Sequence, residues 1–287
     1  MTTAAALVEE ARDRLAARGV PDPGRDAELL LARVLDVARS QLHVRPDREV
    51  GPEAAARFRL LVSCRAGREP LQYLLGEQEF WSLPFKVTPA VLIPRPETEH
   101  LVETLLRSGL PPDPLLLDLG TGSGCLAVAT AHELPGARVV ATDVSEEALE
   151  VARGNALRNG VLERITFLQG DLFAPLSERA PSGAFDAILS NPPYIGEQDL
   201  AGLEPEVRDH EPRRALSPGR DALAVHRRIA AGAAAWLRPG GRLILEIGEG
   251  QEEALRRLYA AASDFENCLV LPDLAGIPRV LSARRLA

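Results

Sequence analysis

The sequence has few cysteines, and their spacing matches neither a metal site nor a disulfide framework. The three cysteines, Cys64, Cys125 and Cys268, are far apart in the chain. Zinc ligands and disulfide scaffolds usually show closely or regularly spaced cysteines. We therefore predict no metal site, and a reduced cytoplasmic compartment suits free thiols of this kind.

Long apolar runs are also missing. No stretch of the sequence is long and apolar enough to cross a bilayer. The first predicted helix carries Glu9, Glu10, Arg12 and Asp13, whereas a secretory signal peptide needs an uninterrupted apolar core. The sequence predicts neither a signal peptide nor a membrane partner.

Positive charge is in deficit. There are 33 Lys and Arg residues against 41 Asp and Glu, which gives a net charge of −8, and Lys86 is the single lysine. A dedicated nucleic-acid binder normally presents a basic face. We therefore expect no direct binding to nucleic acid.

The 287 residues are 46% hydrophobic and 26% charged, which is ordinary for a globular protein. Their patterning divides the chain into three parts. Residues 1–77 show helical periodicity throughout and predict a small all-α domain. Residues 78–96 alternate aromatic and β-branched residues with prolines, which predicts a β-hairpin linker. Residues 97–287 form the third and largest part.

Strands and helices alternate in this third part, which predicts an α/β fold with a doubly wound, mostly parallel sheet of seven strands. The last two strands follow each other without a helix, so we expect one antiparallel edge strand. The predicted strands are 115–119, 138–142, 165–168, 185–189, 243–247, 268–271 and 279–283.

A glycine-rich loop follows the first of these strands. Gly120, Thr121, Gly122, Ser123 and Gly124 form a G-x-G-x-G pattern that joins strand to helix. Glycines let the backbone approach a ligand closely, and the helix N-terminus favours an anionic group. A dinucleotide dehydrogenase would need glycine or alanine one residue after Gly124, where this chain has Cys125. The pattern therefore favours a nucleoside that carries an amino-acid tail.

Two acids close the next strands at the same edge of the sheet. Asp143 lies roughly 20 residues beyond Gly124 and is placed to accept hydrogen bonds from ribose hydroxyls. Asp171 could accept from an adenine amino group, with Leu172 or Phe173 against the ring. A helix cap or turn residue is an equally open interpretation of Asp171.

The fourth strand ends in Ser190-Asn191-Pro192-Pro193-Tyr194. Two prolines fix their own dihedrals and stop the strand, so they predict a rigid corner at the carboxyl end of a buried strand. The corner offers the Asn191 side-chain oxygen, the Pro192 carbonyl and the Tyr194 ring. Two acceptors and an aromatic face suit a planar NH2 group.

The chain resembles class I S-adenosylmethionine-dependent methyltransferases, and specifically the HemK (PrmC) family of peptide chain release factor glutamine N5-methyltransferases. The resemblance covers essentially the whole chain. It rests on Arg68–Tyr73, Gly76, Phe80-Trp81, Ile93–Glu99, Gly120–Gly124, Asp143 and Asn191–Tyr194. One departure is Leu172, where relatives can have an aromatic residue.

The resemblance implies methyl transfer from S-adenosylmethionine to the glutamine amide in the Gly-Gly-Gln motif of class 1 release factors, with S-adenosylhomocysteine as product. It implies that residues 1–77 help to hold this protein substrate and that residues 97–287 are the methyltransferase domain. The implied catalytic residues are Asn191, Pro192 and Tyr194. The implied cofactor-binding residues are Gly120, Thr121, Gly122, Ser123, Gly124, Asp143, Asp171, Leu172 and Asn191. The implied substrate-binding residues are Asn191, Pro192, Pro193 and Tyr194.

Three alternatives stay open at this point. Asn-Pro-Pro-Tyr is shared with other amino-group methyltransferases, so the acceptor could be a ribosomal-protein glutamine or adenine N6. A non-catalytic adaptor is a third alternative, although the intact loop, Asp143 and Asn191–Tyr194 count against it.

Two interpretations also stay open for the charges of the segment before the first helix of the third part. Arg95 and Glu97 are either solvated linker charges or part of the wall of the cofactor cleft.

Overall fold

The computed structural model describes residues 2–177 and 181–286. The chain forms two compact units. The first comprises the residues up to Glu77 together with Glu204–His210, and the second comprises Gln78–Leu203 and the chain from Glu211 onward.

The helices are α1 (Ala4–Ala16), α2 (Pro23–Leu35), α3 (Arg39–Val44), α4 (Pro52–Ala66), α5 (Leu71–Leu75), α6 (Glu99–Leu106), α7 (Cys125–Glu133), α8 (Glu146–Arg158), α9 (Pro205–His210), α10 (Arg213–Leu216), α11 (Ala224–Trp236) and α12 (Glu252–Ala261). The strands are β1 (Thr2–Thr3), β2 (Glu49–Val50), β3 (Glu77–Phe80), β4 (Leu83–Lys86), β5 (Leu115–Leu119), β6 (Arg138–Asp143), β7 (Ile165–Gln169), β8 (Phe185–Ser190), β9 (Leu237–Glu246), β10 (Phe265–Pro272) and β11 (Pro278–Arg285).

The first unit is helical and has its own apolar core. Helix α1 begins where the Thr3 hydroxyl accepts a hydrogen bond from the Ala6 N–H. Its residues Leu7, Ala11 and Leu15 are buried, as their spacing along one helix face requires. They pack with the inner faces of α2 and α4 in one cluster.

Helix α9 belongs to this first unit although it comes from the middle of the chain. Its Glu206 accepts hydrogen bonds from Arg65 at 2.8 Å and from Arg68 at 2.7 and 2.6 Å. Arg65 is buried and also donates to Asp26 at 2.7 Å. Because a buried guanidinium needs its charge and its N–H groups matched, these two acids stabilise the position of Arg65.

The second unit contains the sheet, with strand order β10-β11-β9-β8-β5-β6-β7. Strands β9, β8, β5, β6 and β7 are parallel to one another, while β11 is antiparallel to both β9 and β10. The predicted fold class is therefore confirmed. The antiparallel strand itself is β11, which lies between β9 and the edge strand β10.

Alternate residues along the central strands face opposite sides of the sheet. Leu116 belongs to the apolar cluster on one side, and Leu117 and Leu119 belong to the cluster on the other. This two-residue period is why buried parallel strands are apolar along their whole length. Helices therefore cover both faces, and the ligand-binding edge is the carboxyl end of the strands.

The strand order reverses between β5 and β8. The chain runs outward from β5 through β6 to β7, then returns to place β8 on the other side of β5. Loops that leave β5 and β8 therefore part in opposite directions and open a crevice between them. In the residues that the structure describes, no helix is long and apolar enough to cross a membrane.

Candidate active site

A cavity of about 390 Å³ opens at the carboxyl ends of β5, β6 and β8. This volume is within the range of small-molecule sites. Its lining combines the loop after β5, the acid that ends β6 and the corner after β8. The predicted site residues among its lining are Gly120, Thr121, Gly122, Ser123, Asp143, Asp171, Leu172, Asn191 and Pro193.

The glycines of the loop have different tasks. Gly122 has a φ of +55°, and a Cβ built there would meet no described atom within 4 Å, because it would project into open space. At Gly124, with φ +82°, a Cβ would lie 3.0 Å from the Ala152 Cβ of α8. Gly122 thus leaves the backbone open to a ligand, whereas Gly124 allows α7 and α8 to pack closely.

A buried carboxylate braces the loop from behind. The Thr121 hydroxyl donates to Asp118 Oδ2 at 2.6 Å, and the Gly120 and Thr121 N–H groups donate to the Thr142 carbonyl. Burial raises the pKa of Asp118 to about 7. These contacts fix the loop against β6 before any ligand binds.

Asp143 is held by two backbone donors. Its Oδ2 accepts from the Gly122 N–H and its Oδ1 from the Ser145 N–H, both at 2.9 Å. Each carboxylate oxygen has a second lone-pair site. The side chain is therefore fixed in orientation and keeps one acceptor position on each oxygen for a pair of hydroxyl groups.

In the segment after β7, Leu172 and Phe173 point to different places, and only Leu172 lines the cavity. Leu172 lines the cavity and has a φ of +50°, in the left-handed region. The Phe173 ring instead packs against α11, where a Cβ at Gly232 would lie 2.8 Å from it. Asp171 lies at the rim, is exposed, and accepts a 2.7 Å bond from Arg228. Of these two residues, Leu172 is therefore the one that lines the cavity.

Asn191 is part of a chain of hydrogen bonds that sequence patterns did not predict. Its Nδ2 donates to Thr98 Oγ1 at 3.0 Å, and the Thr98 hydroxyl donates to Glu246 Oε2 at 2.6 Å. The Tyr194 hydroxyl donates to the other oxygen of Glu246 at 3.1 Å. Thr98 and Glu246 are each 2% exposed. Burial raises the pKa of Glu246, and the hydrogen bonds from Thr98 and Tyr194 oppose this rise.

The remaining corner residues lie around Asn191 in different environments. Pro193 lines the cavity, whereas Pro192 is buried and Tyr194 is partly buried beside the cavity lining. The Tyr194 ring is close to Gly248, where a Cβ would lie 2.9 Å from it, and its carbonyl accepts from Gln251. These contacts hold the Tyr194 ring, and its predicted role over an acceptor amide stays a prediction.

The segment that precedes α6 forms one side of the cavity. Ala90, Val91, Leu92, Pro94, Arg95 and Thr98 are lining residues. Arg95 forms an ion pair with Glu211, whose other oxygen accepts from the Ile93 N–H at 3.1 Å. Burial raises the pKa of Glu211, and Arg95 opposes this rise. Of the two interpretations of Arg95, the structure supports the one in which it belongs to the wall of the cleft.

These residues fit a nucleoside with an amino-acid tail. The open space at Gly122 is a cradle that a side chain would fill, and Asp143 has acceptor positions for two hydroxyls. Leu172 supplies apolar surface for a base. The arrangement matches the chemistry of S-adenosylmethionine at each of its three parts.

Solved structures resemble this chain in fold. A methyltransferase from Pyrococcus furiosus has a TM-score of 0.52 and 20% identity, and the alignment covers 71% of this chain and 90% of that one. The hMettl16 catalytic domain, solved in complex with the MAT2A 3'UTR hairpin 6, has a TM-score of 0.56 and 19% identity, with 77% and 81% coverage. At these identities the likeness shows the fold alone.

Two family models match the chain. The PrmC N-terminal domain matches residues 6–76, and the methyltransferase small domain matches residues 96–203. The release factor glutamine methyltransferase of Moorella thermoacetica is 48% identical over 99% of both chains. That of Cereibacter sphaeroides is 48% identical over 98% of both chains. The chain therefore belongs to the family of release factor glutamine methyltransferases, as its motifs predict.

Proposed function

We propose that this chain methylates the side-chain amide nitrogen of the glutamine in the Gly-Gly-Gln motif of class 1 peptide chain release factors. The observation that carries the proposal is the orientation of Asn191. Its Nδ2 donates to Thr98 and the residue lines the cavity, so its Oδ1 would be the acceptor presented to a substrate. The names of the relatives, release factor glutamine methyltransferase, support the choice of acceptor.

S-adenosylmethionine is the methyl donor, and it supplies an electrophilic methyl group on a sulfonium centre. Asp143 would hold its ribose hydroxyls, Leu172 would pack against its adenine, and the loop Gly120–Gly124 would receive its amino-acid tail. Asp171 would accept from the adenine amino group with the oxygen that Arg228 does not occupy. S-adenosylhomocysteine is the product.

The acceptor amide needs positioning because its nitrogen lone pair is delocalised into the carbonyl. Asn191 Oδ1 and the Pro192 carbonyl would each accept one N–H of the acceptor, and Pro193 and Tyr194 would confine its plane. Two acceptors on one nitrogen raise its electron density and point its lone pair away from them. Catalysis of this kind depends on positioning and electrostatics rather than on a covalent intermediate.

The helical unit has a role in this scheme. We propose that residues 1–77 hold the release factor, with residues 78–96 as the linker to the methyltransferase domain, residues 97–287. Release factors act during translation, so we place the activity in the cytoplasm. We expect the enzyme to recognise protein rather than nucleic acid, consistent with its net charge of −8.

The test is a methylation assay with the methyl-labelled donor and purified acceptors. We expect label on the release factor, and mass spectrometry should locate it on the Gly-Gly-Gln glutamine. A release factor with that glutamine changed to alanine is the matched control and should stay unlabelled. Label on adenine in nucleic acid, or on a ribosomal protein but not on the release factor, would refute the proposal.

A further inference from the structure

We propose that Glu246 is a positioning residue that acts through Thr98 to fix which end of the Asn191 carboxamide faces the cavity. The inference rests on the proposed function for the identity of the acceptor. It assigns a role to a buried acid whose one described hydrogen bond to a cavity-lining residue is the bond that it accepts from Thr98.

The hydrogen bonds have only one consistent direction when Glu246 is ionised. A carboxylate accepts hydrogen bonds and cannot donate them. The Thr98 hydroxyl therefore donates its one hydrogen to Glu246. Thr98 Oγ1 can then only accept from Asn191, and the amide must turn its NH2 toward Thr98. Oδ1 is thereby directed to the cavity, where an acceptor N–H is expected.

Both carboxylate oxygens of the buried Glu246 accept hydrogen bonds, which is the pattern that an ionised carboxylate requires. It is 2% exposed, and among the described residues the nearby cation Arg279 forms its ion pair with Asp273 rather than with Glu246. Its two oxygens accept from two hydroxyl groups, of Thr98 and Tyr194. A buried carboxylate without a cation partner lowers stability, so a purely structural explanation would favour an apolar residue at this place.

Neutralising Glu246 should remove the directional constraint. In Glu246→Gln the side-chain NH2 can donate to Thr98, which frees the Thr98 hydrogen to point at Asn191. The amide can then reverse and present its NH2 to the cavity. Two NH2 groups would face each other there, and neither could accept.

The first measurement compares steady-state kinetics of three variants with wild type. We expect Glu246→Gln and Thr98→Val to lower kcat by about 10²-fold, the effect of losing one preorganised polar contact. Affinity for S-adenosylhomocysteine, measured by calorimetry, should change far less than kcat, because Glu246 does not line the cavity and Thr98 lines it on the side of Asn191. Thr98→Ser keeps the hydroxyl and should retain most of the turnover.

The matched control is Asp186→Asn. Asp186 is also a buried acid of the central sheet, but it lies at the start of β8 and pairs with Arg238 and the Leu115 N–H. We expect this variant to lower the melting temperature and leave kcat unchanged. If Asp186→Asn and Glu246→Gln lowered kcat equally, loss of a buried charge would explain both and the inference would be overturned.

A second measurement does not depend on turnover. In the S-adenosylhomocysteine complex, the Asn191 side-chain N–H bonded to Thr98 should be protected from hydrogen exchange in NMR spectra, with assignment by its loss in Asn191→Asp. Protection should disappear in Glu246→Gln and Thr98→Val and persist in Thr98→Ser and Asp186→Asn.

The pH profile adds a third test, since a charged Glu246 is required. Kcat should fall on the acid side, and Glu246→Gln should lack this limb. The other titratable groups around Glu246 are Glu97, Cys125, Tyr194 and Arg279. All four are retained in the variant, and the loss of the Glu246 charge acts on the pKa values of Cys125 and Tyr194, which lie on the basic side.

The outcomes separate the inference from the proposed function. Absence of glutamine methylation by the wild-type enzyme would refute the function, while the exchange measurement would still decide the role of Glu246. Retained Asn191 protection and unchanged kcat in both Glu246→Gln and Thr98→Val would refute the inference and leave the function standing.

Discussion

Asp143→Ala should weaken binding of S-adenosylhomocysteine, and the structure allows the size of the effect to be worked out. The two carboxylate oxygens each accept one backbone N–H at 2.9 Å. Each therefore keeps one lone-pair site for a ribose hydroxyl. The substitution removes both of these acceptors at once.

Hydrogen bonds to a charged group contribute about 1.5–3 kcal/mol each. Two of them amount to about 3–6 kcal/mol, which corresponds to about 10²- to 10⁴-fold in Kd. Asp143→Asn retains one oxygen, so its effect should be about 10- to 10²-fold. The order of affinities expected is wild type, then Asp143→Asn, then Asp143→Ala.

Isothermal titration calorimetry with S-adenosylhomocysteine measures these affinities without turnover. Glu150→Ala is the matched control, because Glu150 is an exposed acid in α8 whose side chain forms no hydrogen bond to another described residue. It should bind like wild type. Binding by Asp143→Ala within about threefold of wild type, with an unchanged melting temperature, would refute the assignment of Asp143 to the ribose.

Three further predictions address the acceptor site, the base pocket and the core. Asn191→Ala should lower kcat by about 10²- to 10³-fold and change Kd for S-adenosylhomocysteine far less in calorimetry; equal losses in both would contradict its assignment to the acceptor. Leu172→Gly should relieve about 1 kcal/mol of left-handed strain, which offsets the loss of its packing against the core, and should weaken cofactor binding; equal or tighter binding would contradict the packing role. Burial lowers the pKa of His226 to about 4 from 6.5, so the unfolded chain takes up the proton first and the free energy of unfolding falls by up to ~3 kcal/mol between pH 6.5 and 4. Urea denaturation across this pH range should show no such fall in the free energy of unfolding for His226→Leu, and the full fall for the control His132→Gln, whose histidine is exposed. The same pH dependence of the free energy of unfolding in wild type and His226→Leu would disprove the role of His226.

Local patterns predicted much of the fold because its elements are locally encoded. Strand β5 spans Leu115–Leu119 as predicted, since an uninterrupted apolar run followed by glycines has few other solutions. The loop from Gly120 and the acid Asp143 follow in the same short segment. The sequence alone therefore predicted the side of the cavity that is formed by the glycine-rich loop and Asp143, the side assigned to the methyl donor.

The hydrogen-bond network at Asn191 was not predicted, because its members are distant in sequence. Thr98 and Asn191 are 93 residues apart, and Thr98 and Glu246 are 148 apart. A signal did exist: Glu246 closes a buried apolar strand at the carboxyl edge, just as Asp143 does. The same rule that identified Asp143 would have identified Glu246.

The helix α9 is another feature that local patterns miss. Pro205–His210 shows no apolar stripe and no buried residue, so nothing in its own periodicity indicates a partner. Its place in the first unit depends on ion pairs with Arg65 and Arg68. Charge pairs of this kind have no sequence period from which they could be read.

Helix α9 also limits how the protein can be divided. The backbone passes between the two compact units after Glu77, after Leu203 and again after His210. A truncated chain that starts at Gln78 would keep Glu206 and lose both of its arginines. When the helical unit is exchanged between family members, we expect the chimera to fold only if residues 204–210 are exchanged together with residues 1–77. The two segments must therefore be inherited together.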